Sequence, residues 1–421
     1  MELKRYNYKL ILVCIVSVFI SFIYGFILQE DSLGGAYNDY KYHEQYFFSF
    51  ATDFKSTLSE YGNNNEVRNS PIFYIIISKL IQFGFELEYL RYLNLIFIFG
   101  IICFFLKSLK MNYENINQET QIFFICTILL SPTIRSLAAH PYPLLWAINF
   151  FIISIYFYLK FKKSQNMNIK MKNSFFCILN LSIASYFTPN FAIFILFYGA
   201  KFFDEFKFTF KTLILAIFVL FLALPAIFFL IWKDFYLFHN TVYKISFLEK
   251  FNFANKLIII SSILFLFILP IIKKIKLKND YFNTFRLKNI IMIIVFFISI
   301  YLFNFKSGAG GGLFYQISDI IFNNNLFLFL IFLISIILFD LLKIYNLNNI
   351  LILITIILYN LQYTIYYKYF DPVLLFVLLF FFKFDNRKIY SINSLGKRYF
   401  VFYVLFLLIN LSKNSLKLIL T

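Results

Sequence analysis

The sequence predicts an all-α, polytopic integral membrane protein, and three observations carry the prediction: the composition, the length of the apolar runs, and where the charges fall. Of 421 residues, 61% are hydrophobic and only 14% charged, with a mean hydropathy of +0.75. That leaves too little polar surface to cover a water-soluble globule of this size. Apolar runs long enough to cross about 30 Å of hydrocarbon recur from Tyr8 to the C-terminus. Inside a bilayer only helices or a closed barrel satisfy the backbone. These runs are continuous where barrel strands would alternate, so helices are expected.

The formal net charge of +18 invites a nucleic-acid partner. The placement of the charges argues against one: Lys and Arg are scattered through short loops between apolar runs, the positive-inside pattern, and form no stripe. Lys greatly outnumbers Arg, and Ile, Asn, Phe and Tyr are abundant, as an AT-rich genome would produce without selection for charge. Cys14, Cys103, Cys126 and Cys177 all lie in apolar runs without CxxC spacing and read as small packing residues. Lys4 and Arg5 precede a long apolar run with no small-residue cleavage site after it, so a retained first helix is expected rather than a cleaved signal.

Thirteen segments are expected to cross: 8–28, 89–106, 121–136, 142–161, 173–188, 190–203, 212–232, 257–272, 289–304, 326–342, 350–367, 372–384 and 399–411. The apolar stretch 71–85 decides which loops share a side. If it does not cross, the basic loops 160–172, 201–211, 273–288 and 383–398 all join Lys4 and Arg5 in the cytoplasm. It is therefore expected to be a juxtamembrane helix on the opposite face, giving one membrane domain, 1–421, in the cytoplasmic (inner) membrane with a cytoplasmic N-terminus. Residues 29–88 then form an extracytoplasmic region with helices of its own.

Within that region, the loop 29–70 holds seven of the chain's 21 acids, Glu30, Asp31, Asp39, Glu44, Asp53, Glu60 and Glu66. A long, acid-rich loop among short connections is where function tends to sit. Asp39 and His43 would share a helical face, with Glu44 beside them. Asp39 in an apolar, aromatic-walled site has the chemistry of a general base. The plain alternative makes Asn38 or Asp39 a helix N-cap on a solvated face. Asp39, His43, Glu44, His140 and His239 could also assemble a divalent-metal site, with Glu44, His43 or His140 as a second acid or ligand, although no spacing is specific to a metal and a looser set of hydrogen-bonded side chains is the plain alternative.

Cations expected on the same face are Arg68, Arg135, Lys306 and Lys368. Arg135 sits in the hairpin Ser131-Pro132-Thr133-Ile134-Arg135-Ser136, where a guanidinium near the interface suits a lipid phosphate. Snorkelling to lipid headgroups is its plain alternative. Lys306 opens the run Lys306-Ser307-Gly308-Ala309-Gly310-Gly311-Gly312, which allows close backbone approach and an anion nest, or only a flexible turn. Lacking a GK[ST] ending, it is not a nucleotide loop. Lys368 precedes Asp371, a candidate cap for the following helix.

The order of these features resembles the GT-C glycosyltransferases. The basic N-terminus and first helix lead into an acidic outer loop with Asp39 near its start. Asn69-Ser70-Pro71-Ile72-Phe73-Tyr74, a helix ending at Lys107, and the Ser131-Pro132 hairpin follow. The resemblance covers roughly residues 4–203; the adjacent acid pair of many members is absent, since Tyr40 follows Asp39 and the next acid is Glu44. It implies inverting transfer from a polyprenyl-phosphate-linked sugar to a glycan, lipid or protein acceptor. Asp39 would be the base, and cations among Arg68, Arg135, Lys306 and Lys368 would hold the donor phosphate. The alternatives are a multispanning transporter, against which the chain lacks an evident internal repeat, and a lipid-linked glycan flippase or polymerase.

Overall fold

The computed structural model describes residues 2–63, 69–234, 252–273, 287–306, 310–342, 346–360, 362–385 and 389–420. In chain order the helices are α1 (Glu2–Ile27), α2 (Ala36–Thr52), α3 (Phe54–Glu60), α4 (Ile72–Gln82), α5 (Leu87–Leu90), α6 (Tyr92–Asn112), α7 (Gln118–Leu130), α8 (Pro132–Ala138), α9 (Pro143–Lys163), α10 (Met167–Phe187), α11 (Phe194–Phe206) and α12 (Phe210–Trp232). They continue as α13 (Phe253–Ile268), α14 (Leu287–Tyr301), α15 (Gly312–Phe322), α16 (Leu326–Leu341), α17 (Leu347–Tyr359), α18 (Val373–Phe380) and α19 (Ile392–Leu420). No strand occurs among the described residues; Ile272 and Ile389 form an isolated antiparallel bridge.

The described elements are all helical, with helices apolar enough for a membrane protein. Among the described residues five stretches are long and apolar enough to span a bilayer: Leu87–Asn112, Pro143–Lys163, Phe210–Trp232, Phe253–Ile271 and Ile392–Ser412. The apolar pair α7 and α8 is bent by 58° at its break, as in a broken span or a re-entrant loop. Each of the thirteen expected segments carries helix, but several are too short to cross unaided. At 1.5 Å per residue the eight residues of α18 reach only about 12 Å. Helix α4, expected not to cross, has 11 residues and reaches about 16 Å.

Two boundaries differ from expectation for identifiable reasons. Segment 121–136 is broken, because Pro132 starts a new helix and the Ser131 hydroxyl accepts from Ile134 N. The segment expected at 257–272 begins earlier, because the Asn252 side chain accepts from Ala254 N and Asn255 N and so caps the helix. Lys256, which reads as a loop charge ahead of the apolar run, is thereby drawn inside the helix.

The chain clusters into two compact units, Met1–Ser246 with Ile392–Thr421, and Phe247–Ser391. In the first, α9 is the central element, flanked by α6 and α10, while α19 lies along α7. Phe151, Ile152 and Ile155 of α9 are fully enclosed. By contrast α12 buries only 6% of its apolar window, and Phe221 and Phe228 are left on its surface, as lipid contact requires. In the second unit, α13 is the enclosed element, packed by α16, α15, α14, α17 and α18.

Candidate functional site

The site lies in the first unit and is built by the segment between α1 and α4 folding onto the α8–α9 turn. Asp31 starts it. Its carboxylate accepts from Gly34 N at 2.9 Å, Gly35 N at 2.8 Å and Tyr37 N at 3.3 Å. Gly34 takes φ 73°, a left-handed turn that suits glycine. Helix α2 begins at Ala36, two residues before Asn38, so Asn38 and Asp39 lie inside its first turn, and Asp31 is the side chain that accepts from the backbone N–H groups leading into it.

Two ties hold this segment to α8. The Ser32 hydroxyl donates to Pro132 O at 3.0 Å and meets Ser136 Oγ at 3.1 Å, while Leu33 N donates to Ser136 Oγ at 3.0 Å. The second tie is ionic. Arg135, 5% exposed, donates from Nε to both carboxylate oxygens of Glu30 at 2.9 and 3.0 Å. Its Nη2 also donates to Glu30 Oε2 and to Ser21 O. Gly25 of α1 provides the space: a Cβ there would lie 2.2 Å from Glu30 Oε2 and 2.7 Å from Arg135 Nη2. Arg135, read in the sequence as a phosphate ligand, is enclosed here, its Nη1 buried without a hydrogen-bond partner among the described residues, and is paired with Glu30. Its partner, 105 residues away, has no local signature.

The expected sharing of a face by Asp39 and His43 is realised on α2. Asp39, half-buried, accepts from the Tyr142 hydroxyl at 3.0 Å, and the Tyr142 ring stands edge-on to His43 at 4.7 Å between centroids. His43 is buried, with Nδ1 2.8 Å from the Tyr74 hydroxyl. Behind it Tyr46, Tyr61, Phe73 and Tyr74 form an aromatic wall that reaches Trp146 and Phe187. Asn69 Nδ2 lies 3.4 Å from the Tyr74 hydroxyl. Large rings here fix the helix without leaving a hydroxyl stranded.

His140 is positioned from the other side. Buried Asn94 of α6 donates to the carbonyls of Leu137, Ala138 and His140 and accepts from Trp146 Nε1, so one amide shapes the whole α8–α9 turn. The His140 ring stacks on Tyr40 at 4.4 Å and 16°. Burial pushes its pKa down from 6.5 to about 4; Asp31 opposes the shift and Arg91 adds to it. His140 is accordingly a neutral ring at pH 7. The Tyr40 hydroxyl is pushed up, by burial first and then by Glu44, to which it donates at 3.4 Å. Tyr40 therefore remains protonated.

Among the described residues no group of three or more His, Cys, Asp or Glu side chains is placed to hold a metal ion. His43 faces tyrosines and His140 stacks on one, so the expected cluster of Asp39, Glu44, His43 and His140 does not converge as a donor set. Arg68 and His239 lie outside the described residues.

The remaining expected cations belong to the second unit. Lys306 is exposed, and its backbone N–H and carbonyl both engage the Tyr363 hydroxyl, at 3.0 and 3.2 Å. The Lys368 ammonium stands over the rings of Tyr366 and Tyr369. Gly310, Gly311 and Gly312 are all left-handed and closely packed, since a Cβ at Gly310 would lie 2.9 Å from Ile365 O and one at Gly312 2.9 Å from Ile263 Cγ1. At these three positions the glycine run is a tight, packed turn rather than a loose one. Asp371 is fully buried, one residue ahead of Pro372 at the N-cap position of α18.

Asn94 and Tyr142 are the residues that sequence reasoning passed over, and Asn94, an amide inside an apolar run, carries a signal that could have flagged it; Glu30 stood among the loop's acids without a sign of its pairing to Arg135. No protein-family model matches this chain, and no curated protein or solved structure matches it.

Proposed function

We propose that the chain is a membrane glycosyltransferase of the GT-C type. In this reading it moves a sugar from a polyprenyl-phosphate donor to an acceptor on the extracytoplasmic face, with inversion, and about thirteen crossings place the N-terminus in the cytoplasm of an inner membrane. The observation that carries the reading is Asp39: a half-buried carboxylate that accepts from the Tyr142 hydroxyl and is bordered by an aromatic wall. A carboxylate so held can take the acceptor's hydroxyl proton as the oxygen attacks the anomeric carbon and the polyprenyl phosphate leaves from the opposite side. Positive groups then stabilise the departing phosphate. Arg68 is the cation proposed for this role, with Arg135 paired to Glu30.

The test is incubation of purified protein with labelled polyprenyl-phosphate sugars, following release of polyprenyl phosphate. Asp39→Asn keeps the shape but removes the base, so release should fall about 10²–10⁴-fold while the protein stays folded. Near-normal turnover in that variant removes Asp39 from the mechanism. A lipid-linked glycan flippase is the second reading, favoured by one observation, the buried ammonium of Lys256. Movement of intact donor across vesicles without bond cleavage would select it.

A further inference from the structure

We propose that Lys256 is the anchor of a phosphate-class anion site in the second unit, a proposal that stands independently of the transfer reading. Asn252 caps α13, so Lys256 lies in the first turn of the membrane-crossing stretch Phe253–Ile271. It is 2% exposed. Its ammonium donates to the Gln362 carbonyl, and no carboxylate among the described residues pairs with it. A lysine near a helix end ordinarily snorkels its charge to water, but here the head is enclosed. An enclosed ammonium is costly unless it is paired, and one neutral carbonyl engages a single one of its three N–H donors.

The start of α13 carries a cluster of amides. Asn252 and Asn255 both donate to Asn304 Oδ1, at 3.0 and 2.8 Å. The segment carrying Gln362 also pins two other elements: Tyr363 grips the backbone of Lys306, and Ile365 O accepts from Gly311 N at 2.9 Å. One short segment therefore touches the buried lysine, a second lysine's backbone and the glycine turn. An anion with several oxygens meets the remaining ammonium donors and supplies the missing charge. Phosphate chemistry has that form, whether carried by a lipid headgroup or by a free ion.

The experiment uses the full chain, measuring the thermal unfolding midpoint of wild type, Lys256→Met and Lys256→Arg. One arm adds inorganic pyrophosphate in detergent, against sodium chloride of equal ionic strength. The other compares nanodiscs of phosphatidylglycerol with nanodiscs of phosphatidylcholine. Wild type should gain about 4 °C at saturating anion in at least one arm. A gain with pyrophosphate identifies a free-ion site and a gain with phosphatidylglycerol alone a headgroup site. Lys256→Arg should keep the gain. Lys256→Met should lose it and unfold no lower than wild type without anion, since an apolar chain of similar length relieves an unpaired buried charge. Absence of any gain in wild type, a gain retained by Lys256→Met, or a lower anion-free midpoint for Lys256→Met each overturns the proposal. If Lys256→Met fails to fold, Lys256→Gln takes its place with the same expectations.

Discussion

Arg135 in the first unit and Lys256 in the second are both enclosed cations, 5% and 2% exposed, yet one faces a carboxylate and the other a carbonyl. Arg135 sits in a notch cleared by Gly25, with Glu30 bidentate on Nε and the Ser21 carbonyl beyond. Its charge is cancelled where it lies, so it can serve as a rivet between the first loop and α8. Lys256 has no such partner among the described residues. The lesson is that burial alone does not assign a cation its role; the neighbouring carboxylate, present or absent, does.

The largest effect that would break this comparison is expected from Glu30→Gln. It strands the Arg135 guanidinium and should cost about 3–5 kcal/mol, read as a lowered unfolding midpoint. Replacing both partners, Glu30→Leu with Arg135→Met, should recover most of that loss, because the enclosed charge leaves with its partner. A double variant as unstable as Glu30→Gln would mean that the pair acts through packing rather than charge. Gly25→Ala comes next. Its Cβ would lie 2.2 Å from Glu30 Oε2 and should cost about 1–3 kcal/mol, with little further loss when placed on the double variant.

The pH dependence follows from His140, whose pKa is lowered on folding from 6.5 to about 4. Below 6.5 the unfolded chain binds the proton more readily than the folded one. The His140 contribution is therefore fully present above pH 6.5 and is lost as pH falls toward about 4. His140→Phe keeps a ring against Tyr40 and should flatten the unfolding midpoint across that window; an unchanged profile would show that another group sets it. The smallest effect is expected from Tyr142→Phe. It removes one hydrogen bond to Asp39 and should cost about 1 kcal/mol in stability. In the proposed reaction it should lower turnover more than donor affinity, since it disturbs the orientation of the base.

Much of the local order is written in local pattern. Asp39 and His43 are four residues apart and share a face of α2 as helical geometry demands. The Asn252 cap and the Ser131-Pro132 break are also short-range signals, and a closer reading of either would have placed the boundary. Treating a charge as the edge of an apolar run hides Lys256, because a lysine in the first helical turn and one in a loop look alike in sequence. The start of α2 is similar: Asn38 and Asp39 read as caps, but the helix already begins at Ala36, and Asp31, ahead of Gly34, accepts from the N–H groups that lead into it.

Composition and periodicity by themselves determine that this chain is a helical membrane protein, because the hydrocarbon demands internally satisfied backbone and the runs are continuous. They also determine that Asp39 and His43 sit together. Only the tertiary structure decides which charges are spent. Glu30 finds Arg135 across 105 residues, Asn94 reaches 46 residues to hold the carbonyl of His140, and Lys256 ends against a carbonyl. Such pairings depend on where separate helices meet, and a long-range electrostatic partner leaves no mark on the residues beside it.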